Sequence, residues 1–455
     1  MKILMLCHTF PPYGQEGGSI RLVKFLKYLP KIDEDIHPIV VTRRSDLRYL
    51  YGEEKLCKGL LNEIPPNVRI ERTGTFEPRW FRKKEEHLHL QKPRTEVLSS
   101  RQHGLLKNGY LTIKSILKRR LKAILNGLFM PDKARLWCPL MLKKAKKLLS
   151  TEGIAVIYAT GPPFSVIYAS RHLKKWFPNI PIILDIKDDI IDTVSYFARP
   201  SWVRYFIKRD EAKAISAASK VILVTDASRR DFQKRYPAHE GKFVLITNGV
   251  DLEEFRECSQ AAYSSKDGRL SFFYSGGWGS RAPKTILGLC RAFDILVQEG
   301  FIRRKEIELR FAGKIPEREI KHLREHNLLS CIRLLGFCPK AEFIERLKST
   351  AINLVLNYPI PTLIPGKIYE AWASKRPILL LDNDGIASRF VERHGIGWAA
   401  PILDVERIYQ ALRHIIGKWR TNTLNEISTK GIQRYSRKAL TQKFADLLYT
   451  LAREQ

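Results

Sequence analysis

Four short segments of the chain carry residue types that can do chemistry, and each lies where a strand-like run gives way to a helix-like one. The first is His8-Thr9-Phe10-Pro11-Pro12, followed by Gly17, Gly18 and Arg21 ahead of a helical run over 22–29. A glycine pair before a helix lets backbone N–H groups come close to an anionic or hydroxyl-rich ligand, and the helix N-terminus adds a favourable dipole. The same spacing also makes a plain turn. The second is Asp185-Ile186-Lys187-Asp188-Asp189, preceded by the loop Ala159-Thr160-Gly161-Pro162-Pro163. Adjacent carboxylates beside a lysine can bind a hydroxyl, act as a base, or cap the helix that follows. The third is Tyr274-Ser275-Gly276-Gly277-Trp278-Gly279 with Arg281 and Lys284 before the run 285–296. Small residues and two cations at a helix start suit a diphosphate, because N–H groups and charge then converge on it. The fourth is Pro365-Gly366-Lys367 through Glu370. Three residues apart on one helical face, Lys367 offers a cation for phosphate and Glu370 a carboxylate for paired hydroxyls, though such a pair is equally a surface ion pair. The Gly-x-Gly-x-x-Gly dinucleotide signature and the Gly-Lys-Ser/Thr phosphate loop are both absent.

The elements that must position these residues alternate. Short runs rich in Ile, Val and Leu over 2–7, 37–42, 155–159, 182–185, 220–224 and 243–247 recur between longer segments of helical period. A second set covers 271–275, 308–312, 332–334, 352–356 and 377–381. The fold class is therefore α/β, and two successive sets predict two Rossmann-like, doubly wound parallel-sheet domains. In such sheets ligands sit at the carboxyl edge, where all four segments fall. The boundaries predicted are 1–252 for the first domain, 253–269 for a polar linker, 270–431 for the second domain and 432–455 for a final helix. Within the first domain the rhythm breaks over about 72–135. There Ile113, Ile116, Leu117, Leu121, Ile124 and Leu125 make one apolar stripe, with Lys114, Lys118, Arg119 and Lys122 off it. A basic amphipathic helix over 105–129 can lie in an anionic lipid interface or pack on its own domain.

Composition narrows the function classes. At 455 residues, 44% hydrophobic and 28% charged, the chain is neither disordered nor fibrous. Its apolar runs are far short of the ~18 residues needed to span a bilayer, and its opening apolar stretch is too short for a secretory signal. The 7 cysteines are scattered, with no two-residue spacing of a zinc or redox pair, which fits reduced thiols in a cytosolic protein. With 79 Lys+Arg against 47 Asp+Glu the net charge is +32, which calls for nucleic acid, an anionic membrane or a phosphorylated substrate as partner. Against nucleic acid stands the lack of any recognisable binding motif.

The order of motifs resembles that of the glycosyltransferase family 4 (group 1) enzymes of the GT-B fold over nearly the whole chain. The matching pieces are Met1 to Leu6 with Gly17, Gly18 and Arg21; Asn248-Gly249-Val250-Asp251 with Phe255; Phe311-Ala312-Gly313; Leu335-Gly336-Phe337; and Pro365 to Glu370 followed by Lys375-Arg376-Pro377-Ile378. Leu136-Trp137, the 159–163 loop and Asp185-Ile186-Lys187-Asp188 look like the branch that builds bacterial surface polysaccharide. The resemblance implies two domains facing a cleft, a nucleotide-sugar donor on the second, an acceptor on the first, and a last helix crossing back to the first. It also implies retention at the anomeric carbon, with no metal or other cofactor. By position, Asp188, Arg281 and Lys284 would be catalytic; Gly276, Gly277, Gly313, Lys367, Glu370 and Thr362 would hold the donor; Gly17, Gly18, Arg21 and Lys187 would meet the acceptor.

Three departures accompany the match. Thr362 stands where the first glutamate of the family's Glu-x7-Glu motif would fall, Lys187-Asp188 replaces Arg-Asp, and Gly276 to Arg281 differs from the commoner Gly-Arg-Leu form. The function expected is transfer of a sugar to a polyprenyl-linked or other lipid-linked acceptor, by a cytoplasmic enzyme peripheral on the inner membrane, with no nucleic-acid partner. A sugar-nucleotide epimerase or an inactive homologue of the same fold is the alternative that Thr362 favours, and a basic nucleic-acid-binding protein is the alternative of another class.

Overall fold

The computed structural model describes residues 1–12, 17–44, 58–76, 130–191, 194–197, 199–257, 268–276, 285–313, 315–336, 338–357, 360–424 and 426–454. The expected amphipathic helix over 105–129 lies outside them, as do Gly277, Arg281 and Lys284.

Two parallel sheets form two lobes. The first contains β1 (Lys2–Leu6), β2 (His37–Arg43), β3 (Arg69–Thr73), β4 (Ile154–Gly161), β5 (Ile182–Ile186), β6 (Lys220–Leu223) and β7 (Phe243–Leu245), in the order 3-2-1-4-5-6-7. The second contains β8 (Leu270–Ser275), β9 (Ile307–Ala312), β10 (Ile332–Gly336), β11 (Ile352–Leu356), β12 (Ile378–Asp382) and β13 (Gly397–Pro401), in the order 10-9-8-11-12-13. The strand order reverses between β1 and β4 and between β8 and β11, and these reversals open the crevices where doubly wound sheets bind ligands. Every predicted strand is present. The two that sequence missed, β3 and β13, are edge strands: β3 is a half-exposed Arg-Ile-Glu-Arg-Thr and β13 a Gly-to-Pro segment, so neither shows the apolar run of a strand buried on both faces. The stretch expected to be linker from 253 begins instead as a short helix, Leu252–Glu257, because Phe255 is buried against the second lobe.

Helices cover both faces of each sheet. On the first lobe, the helices Cys138–Thr151, Phe164–Trp176 and Ser201–Ala217 seal one face, and the first helix (Gly17–Ile32) seals the other together with a return helix (Arg437–Arg453) from the far end of the chain. Phe444 of the return helix stacks on Phe25 at 4.6 Å and meets Tyr158 edge-on at 5.1 Å. The two crossings between lobes bond to each other: Val250 N–H donates to the Tyr435 carbonyl at 3.0 Å, and Arg437 N–H donates to the Val250 carbonyl at 2.8 Å. A side chain at Gly249 would overlap that Tyr435 carbonyl, so only glycine lets the crossings come this close.

At the end of β1, His8 is sealed against Trp137, with ring centroids 5.3 Å apart in an edge-on contact. Burial, and then the nearby Arg43 guanidinium, push its pKa down to about 3.

Phe444→Ala is expected to cost about 3–5 kcal/mol in the first lobe. Denaturant unfolding that left that lobe's transition in place would refute the packing role of the return helix. The imidazole of His8 stays neutral when folded but takes a proton near 6.5 when unfolded. Its contribution is thus intact above about pH 6.5 and declines toward about pH 3, on the order of a few kcal/mol in all. His8→Asn is expected to flatten the stability profile across that window, and an unchanged slope would rule the effect out.

Candidate active site

The carboxyl edge of the first sheet is built around Arg21. Its side chain is fully buried; Nε donates to Asp185 Oδ2 at 2.9 Å, and the two terminal nitrogens donate to the carbonyls of Thr247 at 2.7 Å and Ile246 at 2.9 Å. The Tyr158 hydroxyl donates to the same Asp185 oxygen. Arg21 therefore pins the first helix to the ends of β5 and β7, and its burial leaves no donor surface for the acceptor contact expected of it. Gly17 and Gly18 form the opening turn of that helix.

Just beyond β5, the three charged side chains part company. Lys187 is buried; its backbone N–H donates to the Gly161 carbonyl at 3.2 Å. Burial lowers the pKa of its ammonium, opposed by Asp185 and Cys7. Burial likewise pushes the Cys7 thiol up to about 11, with Lys187 pulling the other way. Asp189 pairs with Arg235 and accepts from Ile191 N–H at 3.0 Å, so it is the residue that caps the turn and anchors the loop. Asp188, between them, is half-buried.

In the second lobe the site assembles from strand ends. Gly276 has φ +137° and Gly313 φ +111°, conformations that favour glycine. Gly276 N–H donates to the Ala312 carbonyl at 3.2 Å and Gly313 N–H to the Gly336 carbonyl at 2.6 Å, so the ends of β8, β9 and β10 are laced together. A Cβ on Gly276 would overlap the Lys367 ammonium, which donates to the Ser275 carbonyl and lies 5.5 Å from the Tyr274 ring centroid. Lys367 thus reaches from the first turn of the helix Gly366–Ala373 onto the backbone that leads into 277–284. Pro365 at the N-cap supplies an extended entry, and no side chain closes that helix N-terminus.

One turn on, Glu370 accepts from Lys340 Nζ at 2.8 Å, and Lys340 also reaches Glu254 at 3.3 Å. Burial works to raise the Glu370 pKa, but Lys340, Lys367 and Arg437 together hold its carboxyl below the usual range. Lys340 is raised in turn by Glu370 and Glu254 against the effect of its burial. Neither Lys340 nor Arg437 stands out in sequence, although Lys340 opens the helix Lys340–Lys348 three residues after the Leu335-Gly336-Phe337 motif. Arg437, buried at the start of the return helix, has its pKa lowered to about 10 by burial and then by Arg21. No sequence pattern could bring it beside Glu370, because it comes from 67 residues further along and only the crossing of the chain places it there. Thr362 sits at the lobe junction, its carbonyl accepting from the Thr225 hydroxyl at 2.7 Å.

Between this site and the first helix runs a chain of charges. Glu63, Asp251 and Glu254 are close enough together to ligate a cation, and the Lys24 ammonium sits among them, 2.8 Å from Asp251 and 2.6 Å from Glu254. Asp251 also accepts from Lys27 at 2.8 Å and Tyr28 at 2.6 Å. The Asn248-Gly249-Val250-Asp251 motif is thus explained by the crossing: glycine for close approach, aspartate for the clasp onto the first helix.

Two family descriptions match the chain in tandem, Glycosyltransferase Family 4 over residues 86–254 and Glycosyl transferases group 1 over residues 269–418. No curated protein sequence matches significantly. Among solved structures, the sucrose-phosphate synthase of Thermosynechococcus elongatus is 14% identical with a TM-score of 0.64, covering 100% of both chains. HepE of Anabaena, solved in complex with UDP-glucose, is 13% identical with a TM-score of 0.60, covering 99% of this chain and 100% of its own. The UDP-GlcNAc 2-epimerase of Methanocaldococcus jannaschii is 14% identical with a TM-score of 0.53, again covering 99% and 100%. At these identities the likeness is one of fold. Taken with the tandem domains, it identifies the chain as a GT-B glycosyltransferase, with a family 4 domain followed by a group 1 domain.

Proposed function

We propose that the protein transfers a sugar, with retention at the anomeric carbon, from a nucleotide-sugar donor on the second lobe to a lipid-linked acceptor on the first, in the assembly of cell-surface polysaccharide or glycolipid. The observation that carries this reading is the convergence of Gly276, Gly313 and Lys367 at the carboxyl edge of β8 and β9, beside the uncapped helix N-terminus that precedes Glu370. Backbone N–H groups, a helix dipole and an ammonium directed at one place stabilise a departing diphosphate as its charge grows. Arg281 and Lys284 belong to the segment that leaves Gly276 and would add to that field. Glu370 would take the donor ribose hydroxyls in exchange for Lys340. Asp188 would face the reacting sugar from across the cleft, and no metal ion or other cofactor is required by this arrangement.

Support for a lipid-linked acceptor at the cytoplasmic face of the inner membrane comes from the surface of the first lobe. Phe197, Trp202 and Tyr205 are 62%, 44% and 64% exposed, close in sequence to exposed Lys208 and Arg209, and they follow directly on the loop that holds Asp188. Aromatic rings with cations suit the interface of an anionic bilayer better than open water. Among the described residues no helix is long and apolar enough to cross a membrane. A second reading, epimerisation of the donor, is favoured by Thr362 in place of a carboxylate and by the likeness in fold to the 2-epimerase.

Lys367→Ala and Glu370→Ala are expected to weaken nucleotide-diphosphate binding at least tenfold, about 1.4 kcal/mol or more, with little change in Tm. A large loss of Tm with binding intact would assign both residues to the scaffold. Incubation of a panel of labelled nucleotide sugars with native lipid extract is expected to move label into the lipid fraction. Conversion of a donor to its epimer without acceptor would select the second reading, and an inert panel would remove both.

A further inference from the structure

A cavity of about 370 Å3 lies between the lobes, lined by the ends of β6 and β7 on one side and by the helix Ile386–Arg393 on the other. None of Gly276, Gly313, Lys367, Glu370, Lys187 or Asp188 lines it. It is bordered by Thr247 just before the outward crossing and by Tyr435 just before the return, so it occupies the hinge side of the cleft. Its charged lining is nearly all of one sign: Arg230 from the first lobe, Arg389 and Arg393 from the second. The one carboxylate in the lining, Asp226, is engaged by Arg229 at 2.7 Å and Arg230 at 3.1 Å. Arg389 and Arg393, one helical turn apart, have no carboxylate within ion-pair distance among the described residues; Arg389 makes only a long bond of 3.5 Å to the Asp384 carbonyl. The positive field is felt at His394, whose pKa is lowered by burial and then by Arg393 and Arg434.

Beneath the cations the lining turns apolar and aromatic, with Ile364, Ile386, Phe390 and Tyr435. Tyr369 and Thr247 also line the cavity, and their hydroxyls are buried neighbours with no hydrogen-bond partner beyond each other. Tyr369 is completely buried. Two hydroxyls bonded only to each other leave one O–H undonated, and cations facing one another across a gap repel unless an anion lies between them. A body with a phosphate at one end and a polar ring at the other answers both conditions: the guanidiniums take the phosphate, the aromatic floor takes the ring face, and the hydroxyls take its edge.

We propose that this hinge cavity is a second ligand site, separate from the donor site, for a phosphorylated ring compound held by Arg230, Arg389 and Arg393. Since those cations come from different lobes, the bound phosphate bridges them and biases the lobes toward one arrangement, which couples occupancy here to affinity in the cleft. The assignment does not rest on sugar transfer. Such a ligand has two sources, a nucleoside monophosphate or a free sugar phosphate.

Calorimetric titration of the full chain with uridine monophosphate, glucose 1-phosphate, inorganic phosphate and uridine tests it, using wild type, the double variant Arg389→Gln/Arg393→Gln and Lys367→Ala. Both substituted arginines are exposed, so the double variant is expected to keep its Tm. The expected result is binding of at least one phosphorylated ring that falls about tenfold or more in the double variant and survives in Lys367→Ala. Preference for uridine monophosphate points to a nucleoside monophosphate, and preference for glucose 1-phosphate to the sugar phosphate. The proposal is overturned if no probe binds wild type, if inorganic phosphate or uridine binds as well as the phosphorylated rings, or if binding is lost in Lys367→Ala and unchanged in the double variant. Loss of donor binding with hinge binding retained would count against the transferase reading alone.

Discussion

Arg21 carries a full charge into a place without solvent, and the first lobe is arranged around keeping that charge satisfied. A buried guanidinium is tolerable only when paired and hydrogen-bonded on every side. Here the partners are the Asp185 carboxylate at the end of β5 and two carbonyls at the end of β7, so one side chain fixes the spacing of strands that do not adjoin. The loop carrying Lys187 and Asp188 starts from that fixed point. Asp189, tied to Arg235, holds its far side. Asp188 is thus held between two buried, paired carboxylates.

The lobes are joined by the same economy. The outward and return crossings bond to each other through Val250, Tyr435 and Arg437, and Asp251 clasps Lys24, Lys27 and Tyr28 of the first helix. Lys340 and Glu254 continue this chain of charges to Glu370 in the second lobe. A ligand that draws Glu370 away from Lys340 therefore disturbs contacts that reach the first lobe. Glycosyl transfer needs the donor and acceptor lobes to meet, and a charge network spanning the gap is one physical route by which donor occupancy is felt there.

The proposed phosphate site of the second lobe draws on little side-chain chemistry. Gly276 and Gly313 contribute backbone in conformations that a Cβ would strain, the helix after Pro365 contributes its N-terminus, and Lys367 is the cation that lies over them. Glycine is needed at these positions because the lysine head and the neighbouring strand occupy the space a side chain would take.

The alternation of apolar runs with helical periods was sufficient to establish the α/β class and the two sheets, because strands buried on both faces must be continuously apolar. It could not reveal β3 or β13, whose exposed edges relax that demand, nor the helix at Leu252–Glu257, which forms because Phe255 has a second lobe to pack on. Residue types and spacing were likewise enough to single out Lys367, Glu370 and Asp188 as candidates, since strand-to-helix junctions converge at one sheet edge whatever the details. Which charges face the cleft was decided by tertiary structure alone. Arg21 and Asp188 look equally available in sequence, yet one is fully buried among three partners and the other is half-buried. Arg437 and Lys340 look like ordinary surface cations until the chain crosses back to bury the first and the fold brings Glu254 and Glu370 to the second. Local pattern sets what each segment can be; burial and the partners brought from distant segments decide which of its charges remain free to act.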